Sequence, residues 1–382
     1  IKVKVGELMY ALINGEIYTG EGIVKNKAII IDGNRVEALV DEIPKDIKVI
    51  DLQGKIVAPA FIDLQLNGCG GVLFNDEISL DTLRIMNETN IKTGTTSYLP
   101  TLITTTDENI EKALKLVEEN ENLKEIGVLG LHIEGPYISI PKKGIHNPAY
   151  IRVMSDEIIH KIAKFGSKVT KIMTIAPENA KVEHLKELKD SGINLSIGHT
   201  NATYEEALEK VEYFKMATHL FNAMSSFTSR EPGVIGAIFE NRSLYTGIIV
   251  DGVHSHYGSV KIAKDILKEK LFLVTDAVAP VGTNMESFMF EGNKVLYKDG
   301  KCISPDGTLG GSALTMIEGV QNLVKHVGVS LEEALFMAST YPAKAIRVDD
   351  KYGYIKEGYI ADLVILDKEL NISNMIVKGE YK

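Results

Sequence analysis

Four apolar, strand-like runs of this chain each lead to a side chain that can bind a metal or move a proton. In chain order these side chains are Glu134, His199, His219 and Asp276. The carboxyl ends of parallel strands converge at one face of an α/β barrel, where the following loops cover the site. Structural capping residues have no reason to recur at successive strand ends. The pattern therefore predicts a single site built from these four residues.

The middle of the chain alternates short apolar runs with amphipathic helices, which indicates an α/β fold with a TIM-like (β/α)8 barrel. Eight strands are predicted, beginning near Ile56, Thr96, Ile126, Thr170, Ile193, Met216, Tyr245 and Leu271. Amphipathic spacing predicts helices over residues 79–92, 107–119, 182–189, 205–211, 260–268 and 314–326.

Both ends of the chain instead alternate β-branched runs with turn signals, and Asp32-Gly-Asn34 predicts a tight hairpin. Neither end is large enough to bury a core alone, so we expect the two termini to pair into one small β-sandwich. The predicted domains are 1–57 (sandwich), 58–348 (barrel) and 349–382 (sandwich). Residues 1–8 precede Met9, a plausible start, and are either a native extension or an added segment.

The composition, 45% hydrophobic and 25% charged over 382 residues, is that of an ordinary globular protein. No run approaches the roughly 18 apolar residues that span a bilayer, and the start lacks a signal-peptide pattern, so we expect a cytoplasmic protein. A net charge of −10, spread along the chain, argues against nucleic acid or an anionic membrane as a partner. Cys69 and Cys302 are expected to be free thiols.

The four residues at the strand ends also form a coherent chemical set. Glu134, His199 and His219 provide one carboxylate and two imidazoles, which suit zinc and leave a position for water. Water bound at such an ion has a pKa near ~7, and Asp276 is placed to pass its proton to a leaving group. Taken singly, each residue has a structural alternative, such as a turn cap or a hydrogen-bonded histidine. Together they favour hydrolysis of an amide or a related bond.

Several motifs of the chain resemble a known family. They are Pro59-Ala-Phe-Ile-Asp63, His132-Ile-Glu-Gly-Pro136, Gly198-His-Thr-Asn-Ala202, Thr218-His-Leu-Phe-Asn-Ala-Met224, Arg230-Glu-Pro-Gly233, Asp251-Gly-Val-His254 and Val274-Thr-Asp276. From Met9 onward the chain resembles the amidohydrolase superfamily and, within it, the N-acetylglucosamine-6-phosphate deacetylase family. This resemblance implies a barrel with a β-sandwich and the metal-dependent hydrolysis of N-acetylglucosamine 6-phosphate to glucosamine 6-phosphate and acetate. It also implies a place in amino-sugar catabolism and cell-wall sugar recycling.

The resemblance implies roles for individual residues. Glu134, His199 and His219 match the metal ligands, Asp276 matches the catalytic acid/base, and His146 matches the histidine that polarises the acetyl carbonyl. For His146 the structural alternative is a residue of a mobile loop.

The implied substrate contacts extend over several loops. They are Ile145, His146, Asn222, Ala223, Arg230, His254, Leu309, Gly310 and Gly311. Among them, Arg230 and His254 match the phosphate binders, and an arginine binds phosphate oxygens in a bidentate manner. A surface ion pair with Glu231 or Glu240 is the structural alternative for Arg230.

The chain departs from the wider superfamily at the end of the first barrel strand. Many relatives carry His-x-His there, which helps to bind a second metal, whereas this chain has Gln65-Leu66-Asn67. Amide side chains are weak ligands for divalent transition metals. We therefore expect one divalent ion per subunit, Zn²⁺ first, with Fe²⁺, Mn²⁺ or Co²⁺ as alternatives. The family resemblance further implies a homodimer or homotetramer.

Two other functions remain open at this point. One is a different amide hydrolase of the superfamily, either dihydroorotase-like or acting on N-acyl amino acids, but Arg230 and His254 suit a phosphate better. The other is a sugar-phosphate sensor without turnover, which has no need of the proton shuttle that Asp276 offers. The small-molecule partner favoured by the sequence is therefore a sugar phosphate.

Overall fold

The computed structural model describes residues 9–382, so residues 1–8, the expected extension, lie outside the described residues. The chain forms two compact units. One comprises the residues up to Ile62 together with Asn90–Thr96 and Met316–Lys382, and the other comprises Asp63–Thr89 and Ser97–Thr315. None of the helices formed by residues 9–382 has the length and apolar character needed to cross a membrane.

An eight-stranded parallel sheet follows chain order and curves back on itself. Its strands are Phe61–Leu66, Thr95–Ile103, Leu131–Glu134, Thr170–Ile175, Asn194–Ile197, Met216–Ala217, Tyr245–Ile248 and Leu271–Leu273. Beyond the last strand, the Asp276 amide donates to the Gln65 carbonyl at 2.9 Å, and the Asn67 amide donates to the Ala277 carbonyl at 3.0 Å. These bonds nearly close the sheet, so the prediction of a TIM-like barrel is confirmed.

Each predicted helix is present, with ends shifted by a few residues. The α-helices are Leu80–Ile91, Asp107–Glu118, Asp156–Val169, Val182–Asp190, Tyr204–Lys210, Gly233–Glu240, Tyr257–Leu267, Met316–Asn322, Leu331–Ala338 and Thr340–Ala345. Short 3₁₀ helices are Glu121–Ile126, Ile140–Lys142, Pro148–Tyr150, Pro177–Asn179, Val211–Tyr213 and Lys268–Lys270, and Leu323–Val327 is a π-helical turn. The helices that were not predicted are Asp156–Val169, Gly233–Glu240, Leu331–Ala338 and Thr340–Ala345. Of these, Gly233–Glu240 is short and almost entirely buried, so it carries no amphipathic signal.

Two predicted strand positions were wrong. The first barrel strand begins at Phe61, not near Ile56, because Ile56–Pro59 pairs instead with Glu16–Tyr18 and Leu363–Leu366 in a terminal sheet. The third begins at Leu131, not near Ile126. Gly130 has a φ of 143° there, and a Cβ at this position would lie 2.7 Å from the Lys171 side chain, so the backbone passes too close to its neighbour for a side chain.

The two chain termini form a β-sandwich, as predicted. One sheet contains, in spatial order, Arg35–Val40, Ala28–Asp32, Tyr10–Ile13 and Lys48–Asp51. The other contains Glu380–Tyr381, Ile372–Val377, Leu363–Leu366, Ile56–Pro59, Glu16–Tyr18 and Ile23–Val24. Buried side chains from both ends of the chain, among them Leu12, Ile29, Leu363 and Ile376, share one core. The hairpin at Asp32–Arg35 is also confirmed, and we keep the boundaries 1–57, 58–348 and 349–382 as a proposal.

The sequence analysis missed an antiparallel sheet inserted after the last barrel strand. Its strands are Ser287–Phe290, Asn293–Lys298, Lys301–Ile303 and Leu309–Ser312, and a small pair, Gly68–Cys69 with Val72–Leu73, follows the first barrel strand. Phe288, Phe290 and Val295 of this inserted sheet belong to one buried cluster with Ile103, the last residue of the second barrel strand, and Ile145 of a barrel loop. Neither Cys69 nor Cys302 forms a disulfide, as expected, and both side chains are buried.

Candidate active site and metal centre

The barrel brings the four strand-end side chains to one cavity. Glu134 ends the third strand, while His199 and His219 each lie two residues beyond their strands. The backbone φ is 48° at His199, 29° at His219 and 53° at Asp276. Residues other than glycine rarely adopt positive φ, and such strain concentrates at functional sites. Three tight turns therefore follow three of these strands at the point where the side chains meet.

Glu134, His199 and His219 form a compact and buried group. The Oε1 atom of Glu134 lies 3.3 Å from Nε2 of His199 and 3.2 Å from Nε2 of His219, and the two Nε2 atoms are 3.0 Å apart. Among residues 9–382, no other set of three His, Cys, Asp or Glu side chains meets closely enough to hold one ion. A carboxylate and two imidazoles are donors that divalent transition metals accept.

The hydrogen bonding of His199 indicates that a cation fits this group. Its Nδ1 lies 2.9 Å from the carbonyl oxygen of Lys142, which can only accept, so Nδ1 carries the proton. In the neutral ring, Nε2 then has a bare lone pair directed at the Glu134 oxygen. Two lone pairs face each other favourably only when a positive ion lies between them. This arrangement, in which the outer nitrogen is fixed by a backbone carbonyl, is typical of metal-binding histidines.

The site shifts the pKa values of its two carboxyl groups in opposite directions. Burial alone raises the pKa of Glu134, but when His199 and His219 are protonated their hydrogen bonds and positive charge outweigh burial and hold that pKa well below its usual range. A divalent ion between neutral rings would supply positive charge at the same place. Burial raises the pKa of Asp276, and the negative charge of Glu134 adds to this effect. One carboxylate is therefore fixed in its charged form, while the other can more readily take up a proton.

Two amide side chains lie between these carboxylates. Nε2 of Gln65 donates to Oε1 of Glu134 at 3.0 Å and to Oδ1 of Asp276 at 3.1 Å. Nδ2 of Asn67 donates to the same Asp276 oxygen at 2.7 Å. Both amide side chains thus direct a hydrogen-bond donor at Asp276, and amide groups are weak ligands for a second divalent transition metal.

The structure gives His146 and His254 partners that the sequence analysis did not identify. Nδ1 of His146 lies 2.7 Å from Oγ1 of Thr104, and Nδ1 of His254 lies 2.6 Å from Oδ2 of Asp251. Burial, followed by the charge of His199, lowers the pKa of His146 well below its usual range. His146 is therefore a neutral, buried ring and not a mobile loop residue. Asp251 stands in the same motif as His254 and could have been found from it, whereas nothing local marked Thr104.

The cavity has a volume of about 300 Å³ and gathers most of the expected substrate contacts. Besides the four strand-end residues, it is lined by Asn67, Ile103, Pro141, Lys142, Gly144, Ile145, His146, Asn222, Ala223, His254, Phe290, Thr308, Leu309 and Gly311. Gly310 does not line it but lies behind Ile145, since a Cβ added to Gly310 would be 3.5 Å from that side chain. Phe290 and Thr308 come from the inserted sheet and its loop, and the sequence analysis missed both.

Arg230, like Gly310, is an expected contact that does not line this cavity. Its side chain is exposed. The alternative of a surface ion pair is not observed either, because no carboxylate of the described residues pairs with Arg230. Glu231 accepts instead from the backbone amides of Tyr204 and Gly233.

Comparison with known proteins matches both parts of the chain. The model of the amidohydrolase family matches residues 56–382, and that of the NagA composite domain matches residues 9–57. The N-acetylglucosamine-6-phosphate deacetylase of Haemophilus influenzae is 46% identical, with 98% of this chain and 100% of the relative covered. The N-acetylgalactosamine-6-phosphate deacetylase of a Shewanella species is 38% identical, over 86% of this chain and 83% of the relative.

A solved structure agrees with the fold throughout. The crystal structure of N-acetylglucosamine-6-phosphate deacetylase from Pasteurella multocida superposes with a TM-score of 0.94 at 46% identity, covering 98% of this chain and 99% of that one. The chain therefore belongs to the amidohydrolase family and, within it, to the family of N-acetylglucosamine-6-phosphate deacetylases.

We predict that one divalent metal ion binds tightly to each chain. Three convergent donors hold it, and the amides of Gln65 and Asn67 disfavour a second ion. Elemental analysis of protein purified without added metal should give one equivalent. His199→Gln should lose the ion, whereas His254→Gln, which alters a buried histidine of the same cavity, should keep it. Two equivalents held with comparable affinity would contradict the prediction.

Proposed function

We propose that this protein hydrolyses N-acetylglucosamine 6-phosphate to glucosamine 6-phosphate and acetate, with one divalent ion per subunit. The observation that carries the proposal is the convergence of the Glu134–His199–His219 donors with Asp276 in one cavity. The relationship to the Haemophilus influenzae deacetylase over 98% of the chain supports the same reaction. Zinc suits two imidazoles and one carboxylate best, and Fe²⁺, Mn²⁺ and Co²⁺ are alternatives.

In this proposal Asp276 is the catalytic acid/base. Its Oδ1 atom is held by the amides of Gln65 and Asn67, and no described residue hydrogen-bonds to Oδ2, so one oxygen remains for proton transfer. The metal supplies Lewis acidity and a water of lowered pKa. Asp276 takes the proton of the attacking water and delivers it to the nitrogen of the leaving amino sugar. A pKa raised by burial and by Glu134 suits a group that must both accept and donate.

His146 is the residue proposed to polarise the acetyl carbonyl. When the Thr104 hydroxyl donates to Nδ1, the neutral ring carries its proton on Nε2. That proton can be donated to the acetyl oxygen as negative charge develops on it. Because burial lowers the pKa of His146, the ring remains neutral and keeps this single donor.

We propose that the phosphate is bound by His254 of one chain and Arg230 of a second. His254 lies in the cavity and is oriented by Asp251, whereas the exposed Arg230 pairs with no carboxylate among residues 9–382. An arginine from a partner would complete the anion site of a homodimer or homotetramer. Asn222, Ala223, Leu309 and Gly311, which line the cavity, are proposed to contact the sugar, and Ile145 is proposed to lie beside its acyl group.

The galactosamine epimer is a second candidate substrate. The Shewanella relative, 38% identical, is named for N-acetylgalactosamine 6-phosphate, which differs only in the orientation of one hydroxyl.

We place either reaction in the cytoplasm, because two buried thiols without a disulfide fit a reducing compartment. No nucleic acid or membrane takes part in it.

Acetate release from N-acetylglucosamine 6-phosphate tests the proposal directly. We expect turnover by the metal-loaded protein, loss of turnover with a chelator, and recovery when zinc is restored. The galactosamine epimer, measured in parallel, distinguishes the two substrates by kcat/KM. Binding of the sugar phosphate without acetate release would instead favour a sensor, and release only from N-acyl amino acids would favour a different hydrolase.

The second prediction for this function concerns Asp276. In Asp276→Asn the amide oxygen can still accept from Gln65 and Asn67, but it cannot take a proton. We expect metal content and substrate affinity to persist while kcat falls by at least about 10²-fold. Asp265→Asn, on an exposed face of the helix Tyr257–Leu267, is the control and should keep full activity. Retention of more than about a tenth of wild-type turnover would exclude Asp276 as the acid/base.

The last prediction for this function concerns Arg230. Charge-assisted hydrogen bonds contribute about 1.5–3 kcal/mol, so Arg230→Ala should raise KM for the 6-phosphate by roughly 10- to 100-fold. Hydrolysis of unphosphorylated N-acetylglucosamine should scarcely change. Arg242→Ala, an exposed arginine outside the cavity, serves as the control.

Mixed oligomers test whether this contact crosses between chains. A dimer of one Arg230→Ala chain with one Asp276→Asn chain has one site with both lesions and one with neither. Activity should therefore exceed that of either parent. If confirmed mixed dimers show no gain, Arg230 acts within its own chain.

A further inference from the structure

The cavity has one apolar side, of which only Ile145 has so far been given a proposed role. Ile103, Ile145 and Phe290 contribute to the lining and belong to a single buried hydrophobic cluster. Ile103 ends the second barrel strand, Ile145 lies in a barrel loop, and Phe290 belongs to the inserted sheet. Three separate segments therefore present one continuous apolar surface to a cavity whose other large side chains are mostly polar or charged.

This surface adjoins the groups proposed to act on the acyl carbonyl. Ile103 directly precedes Thr104, and Ile145 directly precedes His146, the two residues whose side chains meet at 2.7 Å. His254, proposed to bind the phosphate, lines the same cavity, but neither residue beside it in the sequence belongs to the apolar cluster. In a substrate placed with its carbonyl at His146, the part bonded to the carbonyl carbon is an apolar methyl group.

From this geometry we infer that Ile103, Ile145 and Phe290 form an acyl-binding wall that contacts the methyl of the acetyl group and sets the upper size of the acyl chain. The inference rests on the proposed deacetylase function and adds a specificity determinant to it. Burial of the methyl group against this wall favours an N-acetyl substrate over an N-formyl one. A longer acyl chain would clash with the side chains of the wall.

The packing behind the wall explains why it limits size. The relative exposures of Ile103, Ile145 and Phe290 are 2%, 8% and 2%, so most of each side chain is fixed in the cluster. Phe288, Val295 and Cys302 fill the space behind them, with exposures of 7% or less. Close-packed interiors are hard to compress. An N-propionyl group can therefore be accommodated only if a wall residue is made smaller.

Two neighbouring phenylalanines provide a matched test. Phe290 and Phe288 lie in the same strand, Ser287–Phe290, and in the same cluster, with ring centroids 6.3 Å apart, but only Phe290 lines the cavity. We would measure kcat/KM of the zinc-loaded enzyme for the N-propionyl and N-acetyl forms of glucosamine 6-phosphate. The ratio of the two values cancels effects on the metal and on the phosphate.

Phe290→Leu should raise the propionyl-to-acetyl ratio by about 10-fold, the lower end of what one methylene contributes in a fitted apolar pocket. Phe288→Leu should leave the ratio within about 2-fold of wild type, although it loosens the same cluster. Ile103→Val provides an independent variant with a smaller loss of volume and should raise the ratio by about 4-fold, the value of one buried methylene.

The proposed wall would be contradicted if the propionyl-to-acetyl ratio were unchanged in both Phe290→Leu and Ile103→Val. It would also be contradicted if Phe288→Leu raised the ratio as much as Phe290→Leu does. Either result would leave the proposed deacetylase function intact. If the wild-type enzyme released neither acetate from the N-acetyl form nor propionate from the N-propionyl form, the proposed function would fall and the inference with it. The two failures are therefore separated by the wild-type measurement.

Discussion

The return of the eighth strand to the first is the constraint on which the site depends. The backbone carbonyl of Gln65 accepts the amide of Asp276 at 2.9 Å, and its side-chain amide reaches both Asp276 and Glu134. Gln65 thus helps to close the sheet through its backbone. Its side chain also links Glu134, at the end of the third strand, to Asp276, which follows the eighth. If the sheet stayed open at this edge, Asp276 would not be held beside the histidines. The chemistry is therefore a consequence of barrel closure and not of any local motif.

The same bridge explains how two buried carboxylates coexist in so small a space. Charge repulsion between close carboxylates would push both pKa values upward. Here Glu134 is neutralised by His199 and His219, and Asp276 receives two amide donors. Amide donors stabilise negative charge without adding a cation, so the site can keep a single metal and still hold Asp276 in place. A second metal would do the same work but would compete for the oxygen that has to carry the proton.

Much of this site could be predicted because its residues are defined by chain order and strand ends. The positions of Glu134, His199, His219 and Asp276 follow from the alternation of strands and helices. The first and last residues of the strands were harder to predict from the sequence. The apolar run from Ile56 to Leu66 contains two strands that belong to different sheets, and hydrophobicity alone cannot distinguish them. Thr104 and Phe290 were missed for another reason. Each acts through a partner distant in sequence, and no local pattern marks a residue whose role is set by tertiary contact.

Different segments of the chain provide the proposed catalytic groups and the proposed selectivity of this one cavity. The proposed catalytic and metal-binding side chains come from strand ends, where barrel closure fixes them, whereas Phe290 and Thr308 come from a segment outside the barrel strands. Surface insertions tolerate sequence change better than the strands that position them. A change at Phe290 can therefore alter the space offered to an acyl group without moving Asp276 or the metal donors. The proposed wall also includes Ile103 and Ile145, which directly precede Thr104 and His146 in the sequence. In this proposal, the length of the acyl group is limited next to the residues that bind its carbonyl.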